Sequence, residues 1–479
     1  MGSEARALRI LFFPLMAPGH MLPMVDMVKL FAAHGVKATI LTTPGNVPQI
    51  QPSIDRANES GYRYPIEILL VPFPSVDGLP KGCENLSSVP QDLHFQFVRC
   101  FEGLGEPFGN ILKQTLPDCL VTDMFFPWTA DVAEEHGIPR LLFHGSNFFS
   151  QCVSDSIAKS KILESLSLDE ESFVVPGLPH NIILRRPMVP DFNKWAPPLA
   201  ELFQKVKACE PKNYGTVMNT FYELEPEYAD YYRDVMGIKA WTIGPLSLCN
   251  KDIIDKSIRG KETSMDIEFC LKWLDSKKPC SVVYVCFGSL TDFTTSQLQE
   301  IALGLERSNH PFVWVVRMNN KEWMPQGFED RVEGKGLIIK GWAPQILILN
   351  HGSIGGYMTH CGWNSTLEGI SIGLPFITWP IFAEQFYNQR LIVDVLKIGV
   401  EIGMKAYAPN TEEREVIEAA RVERAINELM GSGDQEAEER RMRARKLGEM
   451  AKKAVEKGGS SYDDMDNLIA ELIERRTAI

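Results

Sequence analysis

Apolar positions along the chain alternate between short unbroken runs and runs spaced three or four residues apart, and the alternation occurs twice. Residues 9–15 form the first unbroken run, the mark of a strand buried on both faces. The turn Ala17-Pro18-Gly19-His20 follows, and Pro23 is expected to open an amphipathic helix that stops at Gly35. Residues 36–42, 66–71, 119–123, 140–143 and 214–219 read as further strands, with helical spacing over most of 93–112 and over 128–136. A strand–helix–strand succession of this kind predicts a doubly wound α/β domain. Residues 163–193 are irregular and rich in Pro and Ser, and WTIGPLSL with the charged run to Lys261 reads as a connection between halves. A second alternation begins at Ser281, with strands expected at 281–287, 312–316, 336–340, 357–359 and 375–378. The mixed-charge run 436–457 is expected to be a solvated helix, and 460–474 an amphipathic one. The division that follows is 1–250, a linker 251–265, 266–459, and a last helix 460–479.

Length changes this picture little: 479 residues call for two or more cores. A formal net charge of −13 argues against nucleic acid or an anionic membrane surface as a partner. The ten cysteines stand singly, without a C-x-x-C pair, so neither a zinc knuckle nor a disulfide framework is indicated, in keeping with a reducing cytosol. The apolar run 10–16 is broken by Pro14 and Pro18 and is not expected to act as a signal peptide; no stretch reaches the roughly 20 apolar residues of a membrane span. A soluble cytoplasmic monomer is the expectation.

Chemistry concentrates at strand ends, where open α/β sheets present their ligands. His20 follows the first strand and Asp123 ends a later one. A histidine oriented by a buried carboxylate is a competent base; alternatively His20 is a turn residue and Asp123 an N-cap. In the later half, Phe287-Gly288-Ser289 closes a strand, where Ser289 can bond a phosphate oxygen or simply end the strand. The stretch 342–385 reads WAPQILILNHGSIGGYMTHCGWNSTLEGISIGLPFITWPIFAEQ. Its middle, His360-Cys361-Gly362 leading into a helix, is a strand–turn–helix of the kind that binds anions. Trp342 offers a face for a base and Gln345 an amide for its edge, while Glu384 and Gln385 suit sugar hydroxyls. Ser365-x-x-Glu368 also fits a capping box, and Trp342 and Trp363 also fit the core. No G-x-G-x-x-G opens a strand–helix unit, and the pair Gly103, Gly105 is followed by Pro107, which sets aside a dinucleotide-dependent dehydrogenase. A nucleotide-sugar binder without catalysis is the remaining rival, and it would need a broken His–Asp pair.

The same stretch resembles the signature box of the plant family 1 UDP-dependent glycosyltransferases, from the opening W-A-P-Q through H-C-G-W-N-S-x-x-E to the closing E-Q, at family spacing. The resemblance implies a GT-B fold, two Rossmann-like domains facing across a cleft, with the last helix crossing back onto the first. It implies that His20 is the base and Asp123 its partner. It assigns the UDP-sugar to Ser289, Trp342, Ala343, Gln345, His360, Trp363, Asn364, Ser365, Glu368, Glu384 and Gln385: uracil on Trp342, diphosphate on His360, Asn364 and Ser365, ribose on Glu368. Gln385 goes with glucosyl donors in that family, with galactose, glucuronic acid, xylose and rhamnose as alternatives. The implied reaction is an inverting, metal-independent hexosyl transfer from UDP-glucose, a co-substrate, to a hydroxyl of a small aglycone, with no other cofactor. The aglycone is expected to enter through 76–93, 187–195 and Gly145-Ser146-Asn147-Phe148-Phe149. Gly19, Ser146, Phe148 and Phe149 are its expected contacts, and FHGSNFFSQC resembles a subgroup that glucosylates flavonoids, triterpenoids or steroids.

Overall fold

The computed structural model describes residues 6–166, 171–190, 197–317 and 323–477. Parts of the expected irregular stretch (167–170 and 191–193) and of the expected aglycone entrance (191–195) lie outside them, as do residues 478–479.

Among the described residues fifteen strands run in chain order: β1 (Arg9–Phe13), β2 (Lys37–Thr42), β3 (Glu67–Leu70), β4 (Cys119–Asp123), β5 (Arg140–Phe143), β6 (Ser172–Val174), β7 (Ile183–Arg185), β8 (Gly215–Met218), β9 (Ala240–Thr242), β10 (Val282–Cys286), β11 (Phe312–Val316), β12 (Gly336–Lys340), β13 (Ile354–Thr359), β14 (Phe376–Thr378) and β15 (Gly399–Glu401). The first sheet has order β3-β2-β1-β4-β5-β8-β9 and the second β12-β11-β10-β13-β14-β15. All pairings within both are parallel. The unbroken apolar runs explain this: β4, β5 and β13 are buried at every position, so helices cover both faces.

Strand order reverses between β1 and β4 in the first sheet and between β10 and β13 in the second. Beyond the carboxyl ends of neighbouring strands whose connections leave in opposite directions, a crevice opens. Phe13 pairs with Thr122 and Cys286 with Thr359, so His20, Asp123, Ser289 and His360 all emerge at these two switch points.

Several expectations need correction. Segment 240–242 is an edge strand rather than linker, being too short to show a period. Part of the irregular stretch is the antiparallel hairpin β6–β7. The helix Gln435–Ala454 is not wholly solvated: Ala437, Ala444, Gly448, Ala451 and Ala454 are buried. Small side chains let it approach closely, so Gly448 lies against Gly373, but they register weakly on a polar–apolar scale. The last helix, Ser460–Thr477, packs on the β9 edge of the first sheet. There Asp464 accepts from Thr242 N at 2.8 Å and Thr242 Oγ1 at 2.6 Å, and Met465, Leu468 and Leu472 enter that core. Among the described residues no helix is long and apolar enough to cross a membrane.

Candidate active site

The helix expected to open at Pro23 runs from Pro18 to Ala33, with Pro18 in its first turn and Pro23 inside it. Proline has no N–H, so the carbonyl four residues back, that of Gly19, lacks a helical donor. That carbonyl accepts from Asn364 Nδ2, across the cleft from the second half. The proline that marks a false helix start in the sequence thus frees an acceptor where the two halves meet.

One turn of the same helix holds His20. Its Nδ1 is 2.7 Å from Asp123 Oδ2, and the pair spans 103 positions of sequence. Asp123 is fully buried and fixed from two sides: Phe125 N donates to Oδ1 at 3.1 Å, and the buried Arg140 donates through Nη2 to its carbonyl at 3.2 Å. With Asp123 accepting, the imidazole proton sits on Nδ1 and the Nε2 lone pair is free. Burial opposes the imidazolium, but the charge and hydrogen bond of Asp123, helped by Glu384, outweigh it and leave the His20 pKa raised. Gly145 has φ +72, and a Cβ there would stand 3.0 Å from His20 Cε1, so only glycine lets this loop back the ring so closely.

Beside this pair, a cavity of roughly 270 Å³ opens between the halves. Gly19 contributes from the first half, and Ser289, Trp342, Ala343, Gln345, Asn364, Ser365 and Glu368 from the second. Gln345 is held at both ends. Its Oε1 accepts from Tyr357 OH at 3.2 Å, and its Nε2 donates to Glu368 Oε2 at 2.7 Å and Ser365 Oγ at 3.2 Å. The helix Trp363–Ile372 has Gly362 as N-cap and no side-chain cap, so Ser365 and Glu368 do not form the capping box that their spacing allows. Its first turn keeps its positive end towards the cavity. His360, just past the end of β13, has no carboxylate beside it among the described residues, and burial pushes its pKa down to about 4.

Trp363 takes the core alternative: it is 2% exposed and donates through Nε1 to Asn219 O at 2.7 Å. Gln385 is buried, its Oε1 accepting from Ile381 N at 2.8 Å and Phe382 N at 3.0 Å, which leaves its amide nitrogen as the end for a ligand. Glu384 accepts from Asn388 Nδ2 at 3.2 Å; burial raises its pKa against the pull of backbone N–H groups and His20. Ser146 is buried and bonded by Gln151 Nε2 at 2.8 Å. Phe148 and Phe149 lie in the core, not on the cleft. Asn147 caps the helix Phe148–Ser160 by accepting from Ser150 N at 2.7 Å, which turns both rings inward against Tyr232 and Tyr228. The aromatic wall beside His20 is instead Phe125, 5.5 Å away edge-to-face, followed by Phe203. Phe125 lies two residues past Asp123, close enough in sequence to have been found with it. Asn219, Asn388 and Arg259, which knit the halves together, lie in stretches without any motif.

Residues 257–409 match the family model for UDP-glucoronosyl and UDP-glucosyl transferase. Over 471 residues the chain is 49% identical to a scopoletin glucosyltransferase of Nicotiana tabacum, covering 97% of this chain and 98% of that one. It is 47% identical to a UDP-glucose flavonoid 3-O-glucosyltransferase of Fragaria ananassa, over 98% of this chain and 97% of that one. A Glycyrrhiza uralensis crystal structure, complexed with glycyrrhetinic acid 3-O-monoglucuronide, shares the fold with TM-score 0.92 and 40% identity, covering 99% and 97%. A Medicago truncatula structure complexed with UDP-glucose has TM-score 0.81 at 28% identity, covering 99% and 100%. Two Rossmann-like sheets facing one cleft in the GT-B arrangement, with relatives this similar along the whole chain, make this protein a member of the plant family 1 UDP-glycosyltransferases, enzymes whose co-substrate is a UDP-sugar.

Proposed function

We propose that the protein transfers glucose from UDP-glucose to a hydroxyl of a small lipophilic plant metabolite, phenolic or terpenoid, giving a β-O-glucoside. The observation that carries this is the His20–Asp123 pair, at 2.7 Å, directly after Gly19, which lines the inter-half cavity. His20 Nε2 takes the acceptor O–H proton as the oxygen bonds to the anomeric carbon. The bond from that carbon to the diphosphate breaks on the opposite face, inverting the centre, and UDP leaves. Asp123 holds the tautomer and the imidazolium. In the second half, Trp342 with Ala343 and Gln345 receives the uracil, Glu368 the ribose, and Ser289, His360, Asn364 and Ser365 the diphosphate, whose growing charge they and the helix N-terminus stabilise without a metal. Glu384 and the Gln385 amide face the sugar. Trp363 supports this wall from the core, and Gly19, Ser146 and Phe125 border the acceptor side. The division 1–250, 251–265, 266–459 and 460–479 gives the acceptor half, linker, donor half and closing helix of a cytoplasmic monomer.

The purified protein is incubated with UDP-glucose, -galactose, -glucuronic acid, -xylose or -rhamnose and a panel of flavonoid, triterpenoid and steroid acceptors, with products read by mass spectrometry. UDP-glucose is expected to give the highest turnover. His20→Ala is expected to lower kcat/KM by about 10²–10⁴-fold while UDP binding by calorimetry changes little. Undiminished transfer by His20→Ala would remove the base assignment.

A further inference from the structure

The segment joining the halves carries a buried cation for which the reaction above has no use. Arg259 is only 9% exposed. Its Nε donates to Asp26 Oδ2 at 2.9 Å and its Nη1 to Glu368 Oε1 at 2.7 Å. Asp26 is fully buried on the helix that begins beside His20, and Glu368 lies in the helix that opens towards the cavity. One guanidinium therefore joins a carboxylate from each half. Asp26 is secured further by Asn250 Nδ2 at 2.9 Å, and Asn250 in turn accepts from Lys29 Nζ at 2.7 Å. A buried triad of this kind is poor at adding stability, since well-packed apolar residues often do as well. Its value lies in fixing geometry.

The geometry it fixes is that of the nucleotide cavity. Gly260 has φ +99, and a Cβ there would fall 2.4 Å from Trp342 Cζ2 and 3.3 Å from Leu22 Cδ1. Only glycine passes between a residue of each half at this point. Thr263 Oγ1 then donates to Trp342 O at 3.1 Å, and Ser264 Oγ to Lys340 O. Arg259 and Lys261 line the same cavity as Trp342, Gln345 and Glu368. The linker is thus strapped to the base-stacking tryptophan on one side and to the ribose carboxylate on the other. Glu368 has each oxygen engaged once, Oε1 by Arg259 and Oε2 by Gln345, and each retains a lone pair for a vicinal diol.

We propose that Arg259 is a positioning residue for donor capture: it holds the Glu368 carboxylate in the orientation that grips the ribose diol and, through Asp26, ties that grip to the helix bearing His20. The proposal rests on the reading of Glu368 as the ribose contact. The test is calorimetric binding of UDP and of 2′,3′-dideoxy-UDP, which lacks the diol, to the wild type and to Arg259→Gln, Arg259→Lys and Glu368→Ala. In Arg259→Gln the UDP Kd is expected to rise about 10- to 100-fold, the loss of one charge-assisted hydrogen bond. Dideoxy-UDP binding changes less than about threefold, and the donor KM rises while kcat at saturation stays within about threefold. Arg259→Lys, which keeps the charge but loses the fork, recovers part of the affinity and serves as the readout if Arg259→Gln does not fold. A merely structural arginine would weaken both nucleotides alike, or neither, and either result overturns the proposal. If Glu368→Ala fails to abolish the preference for UDP over dideoxy-UDP, the ribose reading itself falls. If Glu368→Ala abolishes it and Arg259→Gln leaves it intact, only the role of Arg259 falls.

Discussion

Each half of the molecule sets one histidine at the switch point of its sheet, and the two are driven in opposite directions. Burial presses both imidazoles towards neutrality. At His360 nothing opposes it, and the pKa falls to about 4. At His20, Asp123 at 2.7 Å reverses the outcome and the pKa rises. Residue type and depth are similar; the carboxylate decides. Under the proposed mechanism His20 therefore takes a proton and keeps it during the bond-making step, whereas His360 remains a neutral dipole for a charge that develops elsewhere. On the proposed roles, the first half moves a proton and the second receives an anion without moving one.

Removing the deciding group breaks the contrast most severely. Asp123→Asn is expected to lower kcat/KM by about 10²–10⁴-fold. It also moves the acid limb of the pH–rate profile downwards, because burial then acts on His20 with only the weaker help of Glu384. The stability sign follows from the raised pKa. The His20–Asp123 pair contributes stability in full below the ordinary imidazole pKa of about 6.5, and that contribution is lost as pH rises through the raised value. Asp123→Asn should therefore cost stability mainly on the acid side. An acid limb that stays in place in this variant would mean that another group sets it.

The second half gives the complementary test, with a smaller effect. His360→Asn keeps a polar donor but removes the ring, and a loss of roughly 10–10²-fold in kcat/KM is expected, as for one displaced donor to a developing anion. Because His360 is already neutral well below the working range, the acid limb of the profile stays where it is in the wild type. A limb that moved with His360 would show that both histidines titrate and would erase the contrast.

The two halves also differ in how much of them the chain discloses. The proposed donor wall is written in one continuous stretch, because β13, its turn and the following helix carry most of the residues assigned to it, so local pattern and family resemblance point to it together. The acceptor side is assembled from positions 103 apart, which only the sheet order brings together. The failures have physical causes. Phe148 and Phe149 look like loop aromatics until Asn147 is seen to cap a helix beneath them. Trp363 looks like a contact until its N–H is found on Asn219 O. Ser365 and Glu368 satisfy a capping pattern whose cap is in fact Gly362. Arg259 carries no local signal, since its role exists only once Asp26 and Glu368 face each other.

A third buried titratable group sharpens the rule at the least cost to turnover. Among the described residues Glu225 forms no ion pair; its oxygens accept from Thr220 Oγ1 at 2.7 Å and Phe149 N at 2.8 Å, with the Phe148 N–H also favouring its charged form. Burial, as at His360, favours the neutral form, but for an acid that means a pKa pushed up to about 7. The carboxyl therefore binds its proton more tightly in the folded protein than in the unfolded chain. That contribution is complete below the ordinary glutamate pKa of about 4.3 and is lost as pH climbs through about 7. At roughly 1.4 kcal/mol for each pH unit separating those two values, the whole effect is a few kcal/mol. Glu225→Gln, a mimic of the protonated acid, is expected to flatten the fall in stability across that window, measured by urea unfolding at a series of pH values. It should leave kcat/KM within about threefold at neutral pH, since the residue reaches the site only through the start of the helix behind Gly145. A variant whose stability still declined over the same window as the wild type would show that another group sets that fall, and Glu225 would then not extend the rule drawn from the two histidines.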